Sequence, residues 1–185
     1  MKTGPADHRT PDGKSPTSVR LLRNPIDFIA EDHLRLRTMC AEMDRLADST
    51  GPESDAVVAL LDYLRQELPD LLADEDDDLM PLILKRAEPE DELPRLARRL
   101  AREHGEIETH QRSVVAGLVA IADTARVPDR LRDPLRDLAA ATRRHLILEN
   151  AILLPLARVR LRSADLGVLR KAMLRRRGLN DPFVA

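Results

Sequence analysis

Glu31-Asp32-His33-Leu34-Arg35-Leu36-Arg37-Thr38 can be laid over Arg102-Glu103-His104-Gly105-Glu106-Ile107-Glu108-Thr109. In each stretch an acid precedes a histidine, and a threonine follows the histidine by five. The correspondence continues downstream at nearly the same separation. Glu75 is followed by Leu79, Pro81 and Leu82, and Glu149 by Leu153, Pro155 and Leu156, at identical offsets. The first half of the chain therefore repeats as the second. Two related helical hairpins predict a bundle with an approximate two-fold axis, near which the His and Glu positions converge.

Outward from the repeat, the apolar spacing gives the helices. Ile29, Leu36, Cys40, Met43 and Ala47 recur at intervals of three, four or seven, which is one helical face, and His33 lies on it. Asn24 is the expected N-cap and Pro25 the first helical position. A second helix is expected from about Glu53 to Ala87, with Val57, Leu61, Leu64, Leu68 and Leu71 or Leu72 inward and a kink or local break at each of Pro69 and Pro81. A third runs from about Asp91 to Ala125 and a fourth from about Pro128 to Arg160. A short fifth helix begins at Ser163 as its cap and ends at Gly178. The expected architecture is all-α: an up-down-up-down four-helix bundle over residues 24–160. It is preceded by a disordered N-terminal arm, residues 1–23, and followed by a basic C-terminal helix and tail, residues 161–185.

Composition agrees. The 185 residues are 43% hydrophobic, enough for a core, and the aromatic residues are Phe28, Tyr63 and Phe183 alone. Strands favour aromatic and β-branched residues, so a sandwich or barrel is disfavoured. Modules that stack single-stranded bases are disfavoured for the same reason. A net charge of −2 recruits neither nucleic acid nor anionic membrane. A single cysteine, Cys40, excludes an intrachain disulfide framework and a cysteine-rich metal site. Neither a membrane span nor a signal peptide is evident, and the expected compartment is the cytoplasm. The basic C-terminal helix is read as charge favourable to helix ends, and it offers the surface for a protein partner.

His145-Leu146-Ile147-Leu148-Glu149 carries the chemistry. A spacing of four advances a helix by about one turn, so both side chains leave one face, in apolar surroundings. Buried alone, the pair would be costly. A metal ion suits both groups, since imidazole and carboxylate are ligands of iron, manganese and zinc. A partly exposed ion pair with an arginine is the competing reading. His33, Glu75 and His104 on the other inward faces favour the metal. His104 and Glu108 form a second His-x3-Glu pair. His8 lies in the arm and His110 faces away from His104, so both are read as non-ligands. In the run Asp74-Glu75-Asp76-Asp77-Asp78, most carboxylates, Asp76 and Asp77 included, are expected to face solvent.

At these positions the chain resembles the hemerythrin-like, or HHE cation-binding, family over about residues 26–156. That family is a four-helix bundle around a non-haem di-iron centre. It carries His on helix one, His-x3-Glu on helix two, one or two His on helix three, and His-x3-Glu on helix four. His33, Glu75, His104, His145 and Glu149 match, as do Pro81 and Pro155. Glu108 falls where oxygen-carrying members have a second His. The resemblance implies that Glu75 and Glu149 bridge two irons. His104, Glu108 and His145 would hold one of them and His33 the other.

One position departs. Where helix two should carry His, four residues before Glu75, this chain has Leu71. Water, Asp74 or a shifted carboxylate would have to replace that ligand, the second iron would bind more weakly, and reversible oxygen carriage is in doubt. The resemblance then implies an iron protein that senses or handles oxygen, nitric oxide, peroxide or iron, with a small diatomic ligand or peroxide as its partner and no assigned catalytic residue. A metal-free bundle acting as a scaffold is the alternative. A ferritin-like oxidase fits worse, because neither His104 nor His145 has a Glu three residues earlier.

Overall fold

The computed structural model describes residue 13 and residues 15–183. Most of the expected arm, residues 1–12 and 14, with His8 among them, lies outside the described residues. Its final segment departs from expectation. Val19–Arg23 forms a 3-10 turn, and Leu22 is fully buried against the core. The pair Leu21-Leu22 is apolar enough to anchor the chain where it enters the first helix.

Five helices follow. Pro25–Asp48 is α1. Residues 54–86 form α2, a continuous helix of α and π turns. Leu93–Val119 is α3, residues 129–160 are α4, again with a π turn, and Ser163–Arg176 is α5. The side chain of Asn24 caps α1 by accepting from the N–H of Ile26, with Pro25 next. The expected inner face of α1 is buried along its whole length. On α2 it is Leu60, not Leu61, that faces fully inward. Each buried leucine contributes about 1.5–3 kcal/mol of transfer free energy, which holds the four helices together. α4 packs along both α1 and α3. At one end the two hairpin loops are tied together. The N–H of Glu53 donates to the Ala125 carbonyl (2.8 Å), and Pro52 pairs with Arg126.

The prolines do not break α2. Each follows directly on a π turn. The N–H of Leu68 donates to Tyr63, that of Met80 to Glu75, and that of Leu154 to Glu149, all from i to i−5. Pro69, Pro81 and Pro155 come next in the chain. Proline has no N–H and clashes with the carbonyl four residues back in α geometry. One extra residue in the preceding turn relieves that clash while the helix continues. Single π turns of this kind recur at functional sites. Two of these three begin at or beside Glu75 and Glu149.

α5 lies along α2 and is clamped at both ends. Arg86 makes a bidentate pair with Asp165 (2.8 and 2.9 Å). At the other end Arg176 donates to Asp74 and Asp78 (2.7 and 2.6 Å), and Arg177 to Asp74 (2.7 Å). Arg177 also sits over the Phe28 ring, 4.9 Å from its centre. The basic C-terminus thus pairs with Asp74, Asp77 and Asp78 of the five-residue acidic run on α2, rather than serving only its own helix dipole. Asp74 is fully buried and points at these arginines, so it is not a substitute ligand at the site. Ser163 is not the cap of α5. Arg162 holds that place, its N–H donating to Asp165. Gly178, at φ +66°, ends the helix as expected, with the N–H of Leu179 reaching back to Leu174.

Removing both arginines strands a buried carboxylate. Arg176→Ala combined with Arg177→Ala should cost about 3–5 kcal/mol in urea unfolding, and the further change Asp74→Leu should recover most of it. An undiminished midpoint in the double variant would refute the clamp.

Candidate metal centre

Five polar side chains converge inside the bundle. α1 supplies His33, α2 Glu75, α3 His104, and α4 His145 and Glu149. None is more than 2% exposed. Ligand-capable atoms of Glu75, His104, His145 and Glu149 all lie within 4.8 Å of one another. His33 joins them from the opposite side. Its Nε2 is 2.8 Å from Glu75 Oε1 and 3.4 Å from Glu149 Oε2.

Such a group has too few protein partners to be stable by itself. Glu75 Oε2 and both Glu149 oxygens receive no aligned hydrogen bond, although His145 Nε2 approaches Glu149 Oε2 to 2.9 Å. The Nε2 atoms of His104 and His145 face each other at 2.9 Å, their rings nearly edge to face. A buried polar atom left unpaired costs about 1–3 kcal/mol, and more when charged. Carboxylate oxygens and imidazole nitrogens aimed at one volume fit a divalent cation, with iron, manganese and zinc all suited to this donor set.

Each imidazole is held from behind. His145 Nδ1 lies 3.2 Å from Glu103 Oε2. His33 Nδ1 lies 3.3 Å from Asn150 Oδ1. The Asn150 amide donates from Nδ2 to the Leu146 carbonyl (2.7 Å), which fixes its oxygen toward His33. His33 Nδ1 must therefore carry the proton in this pair. Asp76 Oδ2 stands 2.8 Å from His104 Nδ1, off the line of the ring N–H. These backing groups leave all three Nε2 atoms turned inward.

Electrostatics shows what replaces a cation when only protons are present. Burial alone would lower the histidines, but the acids around them win. His33 is pushed up to about 9, burial opposed by the hydrogen bond its Nε2–H donates to Glu75 and by the charge of Glu149. His104 is pushed up to about 10, burial opposed by Asp76, Glu149 and Glu75. His145 rises too, against burial, chiefly through Glu149. Of the two central carboxylates, Glu75 is raised by burial and by its neighbour Glu149. Glu149 faces the same burial, but His104, His145 and His33 hold it below the ordinary range. In the absence of a metal the compensating charge comes from protons on the imidazoles, with one proton shared between His104 and His145 across their 2.9 Å contact.

The structure does not bring every expected residue here. Glu108 is half exposed and pairs with Arg112. The inner face of α3 runs through Leu100, His104, Ile107, Val114 and Leu118, and position 108 falls on its solvent edge. The spacing of four puts Glu108 near His104 along the helix but not on the buried side. Leu71 is buried at the place expected for the missing imidazole. In the repeat, Asp32 corresponds to Glu103 and Leu71 to His145. Glu103 backs His145, whereas Asp32 has no imidazole to back. It lines a cavity of about 260 Å³ with Phe28, Gln66, Asp70 and Arg177, and burial pushes its carboxyl up to about 7, against Thr17 and Arg177. Cys40 is a core residue whose thiol burial pushes up to about 12.

Sequence reasoning missed Asp76, Glu103 and Asn150. The signal was there for two of them: Asp76 and Asn150 each follow a central glutamate, at matching places in the repeat.

Residues 24–166 match the family model of the hemerythrin HHE cation binding domain. No curated protein matches the chain. Among the described residues no helix is long and apolar enough to cross a membrane.

The raised histidines make stability and metal uptake depend on pH with opposite signs. A group whose folded value lies above its ordinary 6.5 stabilises fully below 6.5, and that contribution disappears as pH rises through the folded value. The metal-free protein should lose thermal stability between about pH 7 and pH 10, and cation uptake should release protons and strengthen over the same range. A melting temperature that stays flat across this window in the metal-free protein would contradict the assignment.

Proposed function

The chain belongs to the hemerythrin HHE cation-binding family, and from that premise we propose that it is a non-haem iron protein that handles a small ligand at iron. The observation that carries this reading is the buried set His33, Glu75, His104, His145 and Glu149, with three carboxylate oxygens that no protein donor satisfies. Glu149 and Glu75 lie among the three histidines and would be the carboxylates that two cations share. His104 takes the Oε2 side of Glu75, with His145 2.9 Å from His104, and His33 takes the Oε1 side, while at Glu149 both His145 and His33 approach Oε2. When bound, iron supplies an open coordination position for oxygen, nitric oxide or peroxide.

The two sides are unequal. The side of His104 and His145 has two imidazoles, and the side of His33 has one, because Leu71 stands where a helix-two histidine would be the fourth. Leucine cannot donate a lone pair, so this side binds iron more weakly. The walls of the bundle near the centre are aliphatic, from Leu64, Leu68, Leu71 and Leu146 among others, with Tyr63 and Phe28 as the bundle's aromatic contribution. Such walls keep the centre dry but gate it loosely, which suits sensing or storage better than protected, reversible oxygen carriage.

Anaerobic loading with ferrous iron, followed by metal analysis and an absorption spectrum in air, tests the reading. Wild type should retain roughly one tightly held iron per chain with near-ultraviolet charge-transfer bands, and Leu71→His should hold roughly two. His145→Ala should lose the tight iron. A folded wild type that keeps none after loading would reject iron binding in favour of a metal-free scaffold.

A further inference from the structure

Three residues back the histidines, and their arrangement has its own order. Asp76 follows Glu75 on α2 and reaches across to His104 on α3. Asn150 follows Glu149 on α4 and reaches across to His33 on α1. The two contacts are equivalent under the repeat. In each, the residue after the central glutamate of one hairpin backs the histidine of the other. The π turns begin at or beside these glutamates, so one local feature aims the glutamate inward and its successor sideways. Glu103 adds a third contact, to His145, within its own hairpin. Its counterpart Asp32 has no such contact, since the position equivalent to His145 is Leu71, and it lies 3.9 Å from Arg177.

Resting on the iron reading above, we propose that Asp76 and Asn150 are paired positioning residues that present the Nε2 of His104 and of His33 to the metal. We infer further that the carboxylate-for-amide difference between them grades the two sides. A carboxylate behind an imidazole fixes its tautomer and raises its basicity, and it does so more strongly than a neutral amide oxygen. The side of His104 and His145 has two carboxylates behind its two imidazoles, Asp76 and Glu103. The side of His33 has one amide behind its single imidazole. The inequality set by Leu71 among the direct ligands is thus repeated one layer out. Asp76 is 39% exposed, so it can turn into line with the ring N–H without disturbing the core.

The roles are separable by experiment. Competition titration with ferrous iron under anaerobic conditions gives the affinity of the tight site, and the charge-transfer band reports on its imidazoles. Asp76→Asn should weaken that site about 10–100-fold and move the band, with the far-ultraviolet helix signal intact. Asp77→Asn removes the same charge one residue away, from a side chain that is 72% exposed and does not touch His104. It should leave affinity and band unchanged. Asn150→Asp should strengthen retention of a second iron, most clearly in the Leu71→His background. In the zinc-loaded protein, nitrogen NMR should show His104 and His33 bound through Nε2 with protons on Nδ1. Equal losses in the Asp76 and Asp77 variants, or coordination through Nδ1, would overturn the positioning role while leaving iron binding intact. A wild type that binds neither metal would overturn the iron reading and this inference with it.

Discussion

Two carboxylates, Glu75 and Glu149, are buried side by side in an aliphatic bundle. Like charges in a medium of low polarity cannot persist without positive compensation. Much else in the structure answers that demand. Three imidazoles surround the pair, and the acids push all three upward from their ordinary range, His33 to about 9 and His104 to about 10. Outer groups on three helices hold those imidazoles in orientation. The long helices make the enclosure, and α5 neutralises the acids on the outer side of α2. A divalent cation meets the same demand with shorter contacts, and this is why the arrangement reads as a metal centre rather than as core polarity.

The approximate two-fold axis explains the parts in pairs. His33 answers to His104, Glu75 to Glu149, and Asn150 to Asp76, and each central glutamate sits at a π turn closed before a proline. The axis fails at Leu71, and the failure spreads. Asp32 loses the imidazole it would have backed and instead lies near Arg177, 3.9 Å away. That arginine also carries Asp74 and covers Phe28, so the departed ligand's neighbourhood is where the fifth helix docks. One leucine thus coincides with the half of the centre that has a single imidazole and with the surface on which the fifth helix is anchored.

Much of this was legible in the sequence. The spacing of apolar residues on α1 and the pairing of His33 with His104 and Glu75 with Glu149 yield the helices and five inward groups, because both follow from helical period alone. Glu108 misled for an equally physical reason. A spacing of four brings two side chains together along the axis but leaves them some 40° apart around it, and here that places Glu108 beyond the buried edge. Asp74 misled because burial does not reveal which way a carboxylate is compensated, and the arginines that compensate it lie about a hundred residues away. The π turns were hidden in a different way. The prolines predicted a disturbance, but a break and an inserted residue both satisfy proline's missing N–H, and the sequence pattern does not separate them.

Those prolines also have a mechanical meaning. A π turn can travel along a helix when the next residue's N–H takes over the long hydrogen bond. Beyond Met80 and Leu154 the next residue is proline, which has nothing to donate, so neither bulge can slide forward. The extra residue is trapped where it is made. Because it sits beside the glutamate, that side chain cannot slip in this direction by one position, about 100° around the helix. The two prolines act as ratchet pawls on a helical register. They take no part in the chemistry of the centre, yet they oppose forward slippage of the turns from which its two carboxylates project.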